Sequence, residues 1–198
     1  MNIGIIDYGA GNVQSVYNAI YRLGYDPLII QSYKEIGKQD KLIIPGVGSA
    51  HSCIKSLKEK NMFDLIRIFY ESEKPILGIC LGLQIFCKKL YENGISSGLN
   101  IINADVIPFE EDIKTNIGWS DVELNNEIKN NFNCKKNTSF YFCHSYYLKL
   151  NSKDNKINCY YSNIFNKKVP AVLEKNNFLG TQFHPEKSQI NGSNLLIH

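Results

Sequence analysis

The sequence predicts an α/β protein with a mostly parallel central sheet, flanking helices and additional β-strands in its second half. Two observations support this prediction. Before Gly98, short apolar runs alternate with segments whose apolar residues recur at helical spacing. After Gly98 the helical spacing largely disappears, and short β-rich runs follow one another. No linker divides the chain, so we expect a single domain covering residues 1–198.

The first half begins with a βαβ pattern. Asn2–Asp7 is an apolar run that ends in a glycine-rich turn, and residues 13–23 show helical spacing up to Gly24, a common helix stop. Pro27–Ile30 is predicted to be the second strand. The alternation continues with predicted strands at Lys41–Ile44 and Lys74–Ile79, and predicted helices over residues 49–71 and Leu81–Leu90.

The second half is predicted to be rich in strands. They are Ile101–Phe109, Val122–Leu124, Ser139–Leu150, Lys156–Tyr161, Ala171–Lys175 and Phe178–Gln182. Residues 125–137 are polar and are expected to form a connection. Asn194–His198 resembles the start of a final helix that stops short.

Composition excludes several classes of protein. The surplus of 22 Lys and Arg over 19 Asp and Glu is small and scattered, which argues against nucleic acid as the main partner. The N-terminus lacks the features of a signal peptide and no window is apolar enough for a membrane helix, so we expect a soluble, cytoplasmic protein. The cysteines form no CxxC pair and the histidines show no metal-ligand spacing, so neither a disulfide scaffold nor a metal site is expected.

A candidate nucleophile lies where a predicted strand meets a predicted helix. Pro75–Gly82 contains the pattern G-x-C-x-G around Cys80, the thiol form of the nucleophile elbow. Gly78 and Gly82 remove side chains that would collide at a sharp turn, and the N-terminus of the following helix is expected to favour the thiolate. The alternative is that Cys80 is a buried core thiol, a common environment for a free cysteine.

A candidate base lies near the end of the chain. There a predicted strand runs into His184-Pro185-Glu186, and Pro185 stiffens the turn. A carboxylate two residues from the imidazole can hold one ring nitrogen as a donor, which leaves the other nitrogen for a thiol. The alternative is a turn with a surface histidine and glutamate. Only the fold can bring His184 and Cys80 together.

A glycine-rich turn is a candidate oxyanion site. It ends the predicted strand in Lys41–Gly48, and its backbone N–H groups, with that of Leu81, can stabilise a tetrahedral intermediate. The alternatives are a plain turn or a phosphate loop, but the G-x-x-x-x-G-K-[ST] pattern is absent. A dinucleotide fingerprint after Gly9 and Gly11 lacks its third glycine, since Gln14 occupies that position.

Together these motifs resemble the class I (triad) glutamine amidotransferases, and among them the glutaminase subunits of imidazole glycerol phosphate synthase. The matching stretches are IGIIDYGAGNVQSV (3–16), LIIPGVGSA (42–50), KPILGICLGLQIF (74–86), YFCHSYY (141–147) and GTQFHPEKSQINGSNLL (180–196). They lie in order and span the chain. The resemblance implies a flavodoxin-like α/β fold with extra strands.

The resemblance also implies roles for individual residues. Cys80 would be the nucleophile, His184 the general base and Glu186 the group that orients it. The positions that would hold glutamine are Val47, Gly48, Leu81, Gln84, His144, Ser145 and Tyr146. Asn12 and Lys187 match positions that face a partner subunit. No cofactor is implied.

The implied reaction has two parts. Cys80 forms a glutamyl thioester and releases ammonia, and water then frees glutamate. The ammonia passes through a tunnel to a separate (β/α)₈ synthase subunit, which forms imidazole glycerol phosphate and an aminoimidazole ribotide in histidine biosynthesis. These subunits depend on their partner to order the oxyanion loop, so the resemblance also implies low activity for the chain alone.

One segment departs from the family pattern and leaves the partner open. Lys114–Ser120 lacks the Pro-His pair of the family's K-V-P-H-M-G-W-N, in a region expected to touch the partner or the wall of the glutamine site. The alternative partner is an amidotransferase of surface-glycan synthesis that converts a sugar acetamido group into an acetamidino group. A regulatory module without chemistry would have lost the triad. A cysteine protease of related fold would lack the HSYY and QFHPEKS contexts.

Overall fold

The computed structural model describes residues 1–9, 11–109, 115–134, 138–152 and 155–198. Its strands are β1 (Ile3–Ile6), β2 (Leu28–Ile30), β3 (Lys41–Ile44), β4 (Ile76–Ile79), β5 (Cys87–Leu90), β6 (Ser96–Ser97), β7 (Ile102–Pro108), β8 (Asn116–Glu123), β9 (Ser139–His144), β10 (Tyr146–Leu150), β11 (Ile157–Ile164), β12 (Lys167–Lys175) and β13 (Phe178–Thr181). Its α-helices are α1 (Val13–Arg22), α2 (Ala50–Glu59), α3 (Phe63–Glu71), α4 (Leu81–Gln84), α5 (Asn126–Asn131) and α6 (Gln189–Ile197). Single 3₁₀ turns lie at Tyr33–Glu35 and Pro185–Lys187.

The larger sheet has the strand order β2-β1-β3-β4-β13-β12-β11-β8-β9 within the described residues. The pairs from β2 to β13 are parallel, and those from β13 to β9 are antiparallel. The parallel part has the order of a flavodoxin-like sheet, in which ligands bind beyond the carboxyl ends of the strands. The predicted fold class is therefore confirmed.

Apolar layers cover both faces of the larger sheet. A smaller sheet of order β10-β7-β5-β6 contributes to the largest core cluster, together with the apolar sides of α2 and α3. On the opposite face, apolar residues of α1 pack against β1, β3 and β4. A third cluster joins the antiparallel strands to α5 and α6. None of the described helices is long and apolar enough to cross a membrane.

The topology gathers the candidate site at one edge of the sheet. Parallel neighbours β3, β4 and β13 end beside one another. The glycine-rich turn follows β3, Cys80 follows β4, and His184 follows β13. Three segments that are distant in the sequence therefore meet at the carboxyl ends of adjacent strands.

Two of the predicted helices are corrected by the structure. The helix after Cys80 ends at Gln84, and the rest of the predicted helix is the strand β5. Residues 49–71 form two helices, α2 and α3, because the chain turns at Asn61, whose φ is 55°. Apolar spacing alone does not separate a buried strand from a buried helix, which explains the first error.

The second half is more regular than predicted. The predicted strand at Val122–Leu124 overlaps the end of the longer strand β8, and the predicted connection over residues 125–137 contains α5, although residues 135–137 lie outside the described part. The final helix, α6, begins well before Asn194.

Candidate active site

The chain makes an abrupt bend at Cys80. This residue has φ 53° and ψ −104°, a conformation that is costly for a non-glycine residue. Its backbone N–H donates to the carbonyl of Thr181 at 2.7 Å, which ties the bend to the end of β13. The side chain is only 5% exposed. Strain held in this way concentrates at functional sites, and here it fixes where the sulfur points.

Close packing explains the glycines around the bend. A Cβ on Gly82 would overlap the carbonyl oxygen of Ile44, the last residue of β3. A Cβ on Gly78 would lie 2.7 Å from the oxygen of Gly82, and one on Gly46 would lie 2.6 Å from its nitrogen. The predicted role of Gly78 and Gly82 is therefore confirmed: side chains at both positions would collide with neighbouring backbone.

The helix after Cys80 contributes less to stabilising a thiolate than expected from the sequence. With four residues, α4 has only one turn, so its dipole is much weaker than that of a long helix. Stabilisation of a Cys80 thiolate must come mainly from neighbouring side chains.

His184 and Glu186 form a buried pair next to the bend. Nδ1 of His184 lies 2.9 Å from Oε1 of Glu186, and the two side chains are 2% and 1% exposed. Burial lowers the pKa of His184, but the nearby Cys80 thiol and the Glu186 carboxylate outweigh it and raise that pKa to about 10. Nε2 makes no hydrogen bond within the described chain. The ring is therefore held by Glu186 on one side, while the thiol is close enough to favour its protonated form.

A second buried histidine, His144, favours the neutral form, whereas His184 favours the charged form. Nδ1 of His144 donates to the carbonyl of Tyr146 at 2.8 Å, and the Asn116 amide donates to Nε2 at 3.2 Å. Burial lowers the pKa of His144 to about 4, helped by the charge of His184 and opposed by the Tyr146 carbonyl. His144 is therefore neutral at physiological pH and acts as a fixed wall of the site.

Two buried glutamines connect this wall to Cys80. The Gln84 amide donates to the carbonyl of Tyr146 and to Oε1 of Gln182, each at 3.2 Å. The Gln182 amide in turn donates to Sγ of Cys80 at 3.5 Å. Gln84 therefore lies within two hydrogen bonds of the sulfur.

Polar groups line the more open side of the cleft. The hydroxyls of Ser145 and Thr115 lie 2.8 Å apart. Burial and the Glu92 carboxylate raise the pKa of Tyr146, which places a negative charge near its hydroxyl. The Glu92 carboxylate also accepts a hydrogen bond from the backbone N–H of Ala50 at 2.6 Å. This side of the cleft can hold the charged amino-acid end of a small substrate.

The glycine-rich turn after β3, the expected oxyanion loop, is closed over the N–H of Leu81 in this structure. The N–H of Leu81, expected to bind an oxyanion, donates to the carbonyl of Gly46 at 3.4 Å. The Tyr8 hydroxyl anchors the start of the loop by donating to the carbonyl of Pro45 at 3.1 Å. Val47, in contrast, is 36% exposed. The loop has to turn the Gly46 carbonyl away before the Leu81 N–H can serve an oxyanion.

The two predicted partner-facing residues lie on or beside elements that contact one another. Asn12 directly precedes α1, and its side-chain oxygen accepts a hydrogen bond from Ser15 at 2.6 Å. Lys187 is exposed, with its ammonium 5.9 Å from the centroid of the Tyr141 ring. The turn that carries Lys187 contacts α1.

An apolar patch extends from Lys187 across β8 and β9. Its members are exposed or half-exposed residues of two facing cross-strand pairs, Ile117 with Cys143 and Trp119 with Tyr141. Ile117 is 65% exposed and Trp119 is 48% exposed. The Sγ of Cys80 lies 3.8 Å from the carbonyl of Cys143, so the patch adjoins the candidate nucleophile.

Sequence reasoning missed three residues of the site: Glu92, Asn116 and Gln182. No motif or spacing singled out Glu92. Asn116 lies within Lys114–Ser120, the segment expected to touch the partner or the wall of the glutamine site, but nothing in the sequence distinguished it from its neighbours. Gln182 lies inside the quoted QFHPEKS motif, but a glutamine has no chemistry that would distinguish it from a packing residue. The six cysteines are free. No group of three His, Cys, Asp or Glu in the described ranges is arranged to hold a metal ion.

Comparison with known proteins gives consistent results. A family model described as glutamine amidotransferase class-I matches residues 4–197. Imidazole glycerol phosphate synthase subunit HisH 1 of Campylobacter jejuni (strain RM1221) is 38% identical, over 98% of this chain and 96% of its own. Imidazole glycerol phosphate synthase subunit HisH of Lactococcus lactis subsp. lactis (strain IL1403) is 39% identical, over 94% and 91%.

Solved structures share the fold. A crystal structure of a glutamine amidotransferase aligns with a TM-score of 0.73 at 17% identity, over 98% of this chain and 96% of that one. The structure of PurLQS from Thermotoga maritima aligns with a TM-score of 0.74 at 16% identity, over 98% and 95%. The full-length sequence match, the strained cysteine and the buried histidine–glutamate pair together show that the chain belongs to the class-I glutamine amidotransferase family.

Proposed function

We propose that this protein is the glutaminase subunit of a cytoplasmic imidazole glycerol phosphate synthase. It would hydrolyse L-glutamine and pass the ammonia to a (β/α)₈ synthase subunit in histidine biosynthesis. The observation that carries the chemistry is the assembly at the ends of β4 and β13, where Cys80 lies beside a histidine paired with Glu186. The two relatives described above are named as subunits of imidazole glycerol phosphate synthase, and this chain matches them over almost their whole length.

The first half-reaction starts from a Cys80 thiolate beside a His184 imidazolium. The thiolate of Cys80 attacks the side-chain amide carbon of glutamine, and a C–S bond forms as the carbonyl oxygen becomes an oxyanion. The imidazolium of His184 then gives its proton to the amide nitrogen, the C–N bond breaks, and ammonia leaves. Glu186 stabilises the imidazolium until it gives up its proton. The product on the enzyme is a thioester.

The second half-reaction uses His184 in the opposite direction. The neutral imidazole takes a proton from water as the water oxygen adds to the thioester carbon. The C–S bond breaks, its electron pair returns to sulfur, and glutamate leaves. The thiolate and imidazolium are restored, so the cycle needs no cofactor or metal.

The closed loop supports dependence on a partner. Leu81, the residue after Cys80, is an expected oxyanion donor, and its N–H donates to the carbonyl of Gly46. Losing one oxyanion donor typically costs about 10²–10³ in rate. The apolar patch at Ile117 and Trp119 adjoins the site, and exposed aromatic and aliphatic side chains grouped in this way are typical of protein-binding surfaces. We propose that the synthase binds there and near Asn12 and Lys187, and that binding opens the loop.

A glutamate-release assay tests the proposal. The chain is incubated with glutamine, with and without the (β/α)₈ synthase subunit. We expect slow release alone, at least a hundredfold stimulation by the partner, in line with one recovered oxyanion donor, and no release from Cys80→Ala. Cys159→Ala, a half-buried thiol on β11, is the matched control and should behave as the parent.

Two results would reject the proposal. No glutamate release from the parent with the partner present would reject glutamine hydrolysis. Fast release without any partner would reject partner control of the loop. If the synthase does not bind but a sugar amidotransferase co-purifies, the alternative assignment to acetamidino-group formation in surface-glycan synthesis replaces the histidine pathway, because both would use the same triad.

A further inference from the structure

Gln182 contacts the nucleophile directly, and the proposed mechanism has not used it. It is fully buried, two residues before His184, and its backbone N–H donates to Ala171 at 2.9 Å. Its side-chain amide lies between Gln84 and Cys80, with polar atoms 3.2 and 3.5 Å away. A buried amide with both ends engaged is held in one place.

The direction of this amide is fixed by a chain of hydrogen bonds. The carbonyl of Tyr146 can only accept, so the group of Gln84 that faces it must be the NH₂. The same NH₂ reaches Gln182, which must therefore present its oxygen to Gln84. The NH₂ of Gln182 is then left to face the sulfur of Cys80. Each of these three contacts then joins a donor to an acceptor.

We propose that Gln182 is a positioning residue that stabilises the Cys80 thiolate by donating an amide hydrogen bond to its sulfur, in an orientation set by Gln84 and Tyr146. A hydrogen bond to a charged acceptor is stronger than one to a neutral acceptor, so this donor favours the thiolate over the thiol. It approaches the sulfur as a separate donor from the His184 ring. This inference rests on Cys80 being the nucleophile of the proposed function.

The same contact matters when sulfur is the leaving group. In hydrolysis of the thioester, the C–S electron pair returns to sulfur, and a donor already in place stabilises the charge that forms there. The chain through Gln84 also links the sulfur to a residue expected to hold glutamine. Movement of Gln84 on substrate binding would therefore reach the nucleophile through Gln182.

Alkylation of Cys80 by iodoacetamide across a range of pH tests the proposal without glutamine or a partner. Peptide mass spectrometry resolves Cys80 from the exposed Cys143, which serves as an internal reference. Gln182→Leu removes the donor, and we expect the pH midpoint of Cys80 alkylation to rise by about one unit, a tenfold loss of thiolate below the midpoint. Gln182→Glu places a carboxylate oxygen against the sulfur and should raise the midpoint further.

A matched control separates this role from a structural one. Gln39 is also buried, with its amide donating to Glu35 and accepting from Gly37, but it precedes β3 at the end opposite the site. Gln39→Leu should leave the Cys80 midpoint unchanged. If circular dichroism shows that the Gln182→Leu variant does not fold, the Cys80 midpoint of the Gln182→Glu variant tests the proposal instead.

The outcomes separate this proposal from the proposed function. Midpoints that stay within about 0.2 unit of the parent in folded Gln182 variants would overturn the role of Gln182 even if the parent hydrolyses glutamine, since a hydrogen bond to a charged group is expected to shift the midpoint by roughly one unit. A raised midpoint in a protein that fails to hydrolyse glutamine with its partner would uphold the contact and reject the glutaminase assignment.

Discussion

Replacing Glu186 by Gln tests what holds the charge on His184. The change keeps the size of the side chain and an oxygen that can accept from Nδ1, but it removes the negative charge 2.9 Å from the ring. His144 shows what burial does without a carboxylate. Its ring bonds to an amide and a carbonyl, and its pKa falls to about 4, whereas that of His184 is raised to about 10.

The magnitude follows from this contrast. An opposite charge at this distance typically shifts a pKa by about 1–3 units, or ~1.4–4 kcal/mol. Without the carboxylate, Cys80 still favours the charged ring against burial, and the pKa of His184 should fall by that amount. The imidazolium that pairs with the Cys80 thiolate becomes less stable by the same factor. We therefore expect the alkylation rate of Cys80 near neutral pH to fall about 10- to 1,000-fold.

The assay compares the Cys80 and Cys143 peptides of the same sample after timed exposure to iodoacetamide. Glu174→Gln, which removes a half-buried carboxylate on β12, is the control for loss of a charge elsewhere and should match the parent. With glutamine and the partner present, Glu186→Gln should lower kcat by a similar factor.

One result would refute the reasoning. If Cys80 in Glu186→Gln reacts within about threefold of the parent, while Cys143 is unchanged and the protein is folded, the loss is under ~0.7 kcal/mol and the carboxylate is not what sustains the imidazolium.

Three further predictions concern stability and assembly. Gly82→Ala forces a Cβ onto the carbonyl of Ile44, so the free energy of unfolding in urea should fall by ~3 kcal/mol or more. Trp119→Ala should weaken synthase binding by calorimetry about 30-fold or more, while unfolding changes by less than ~0.5 kcal/mol, because this half-exposed ring belongs to the patch rather than the core. The raised pKa of His184 adds stability that is complete below about pH 6.5 and is lost as pH rises through about 10, and urea titrations should show this slope reduced in Glu186→Gln.

Each of these predictions has a clear contrary outcome. Unfolding of Gly82→Ala within ~0.5 kcal/mol of the parent would mean that the bend can relax. Unchanged affinity in Trp119→Ala would exclude the patch as the partner site. The same pH slope in the parent and in Glu186→Gln would show that the pair does not contribute to stability in that range.

Local sequence predicted the parts of the site that depend on short-range sterics. The bend at Cys80 requires small neighbours, and glycines stand at the positions where a Cβ would collide. Alternation of strands and helices predicted the parallel sheet, and with it the edge where Cys80 and His184 could meet. The motif stretches predicted the family, which the full-length match confirmed.

The prediction of a single helix over Leu81–Leu90 was wrong because a segment that is buried on all sides lacks the apolar periodicity that distinguishes a helix from a strand. The residues after Gln84 form the strand β5 because Phe86 stacks on Phe178 at 4.0 Å between ring centroids and Cys87 pairs with Ile102 across strands. Neither contact is encoded within the segment itself. The break between α2 and α3 has a different cause, since it depends on a single residue with positive φ, Asn61.

The sequence by itself determined the residue types of the proposed triad and the turns on which they lie, because those depend on chemistry and on neighbours along the chain. Only the tertiary structure decided the charge states and the supporting contacts. Burial without a carboxylate makes His144 neutral, whereas Glu186 and Cys80 keep His184 charged. The donor that Gln182 presents to the sulfur, likewise, exists only because β4 and β13 lie side by side, since pairing between distant segments is what sets distances in space.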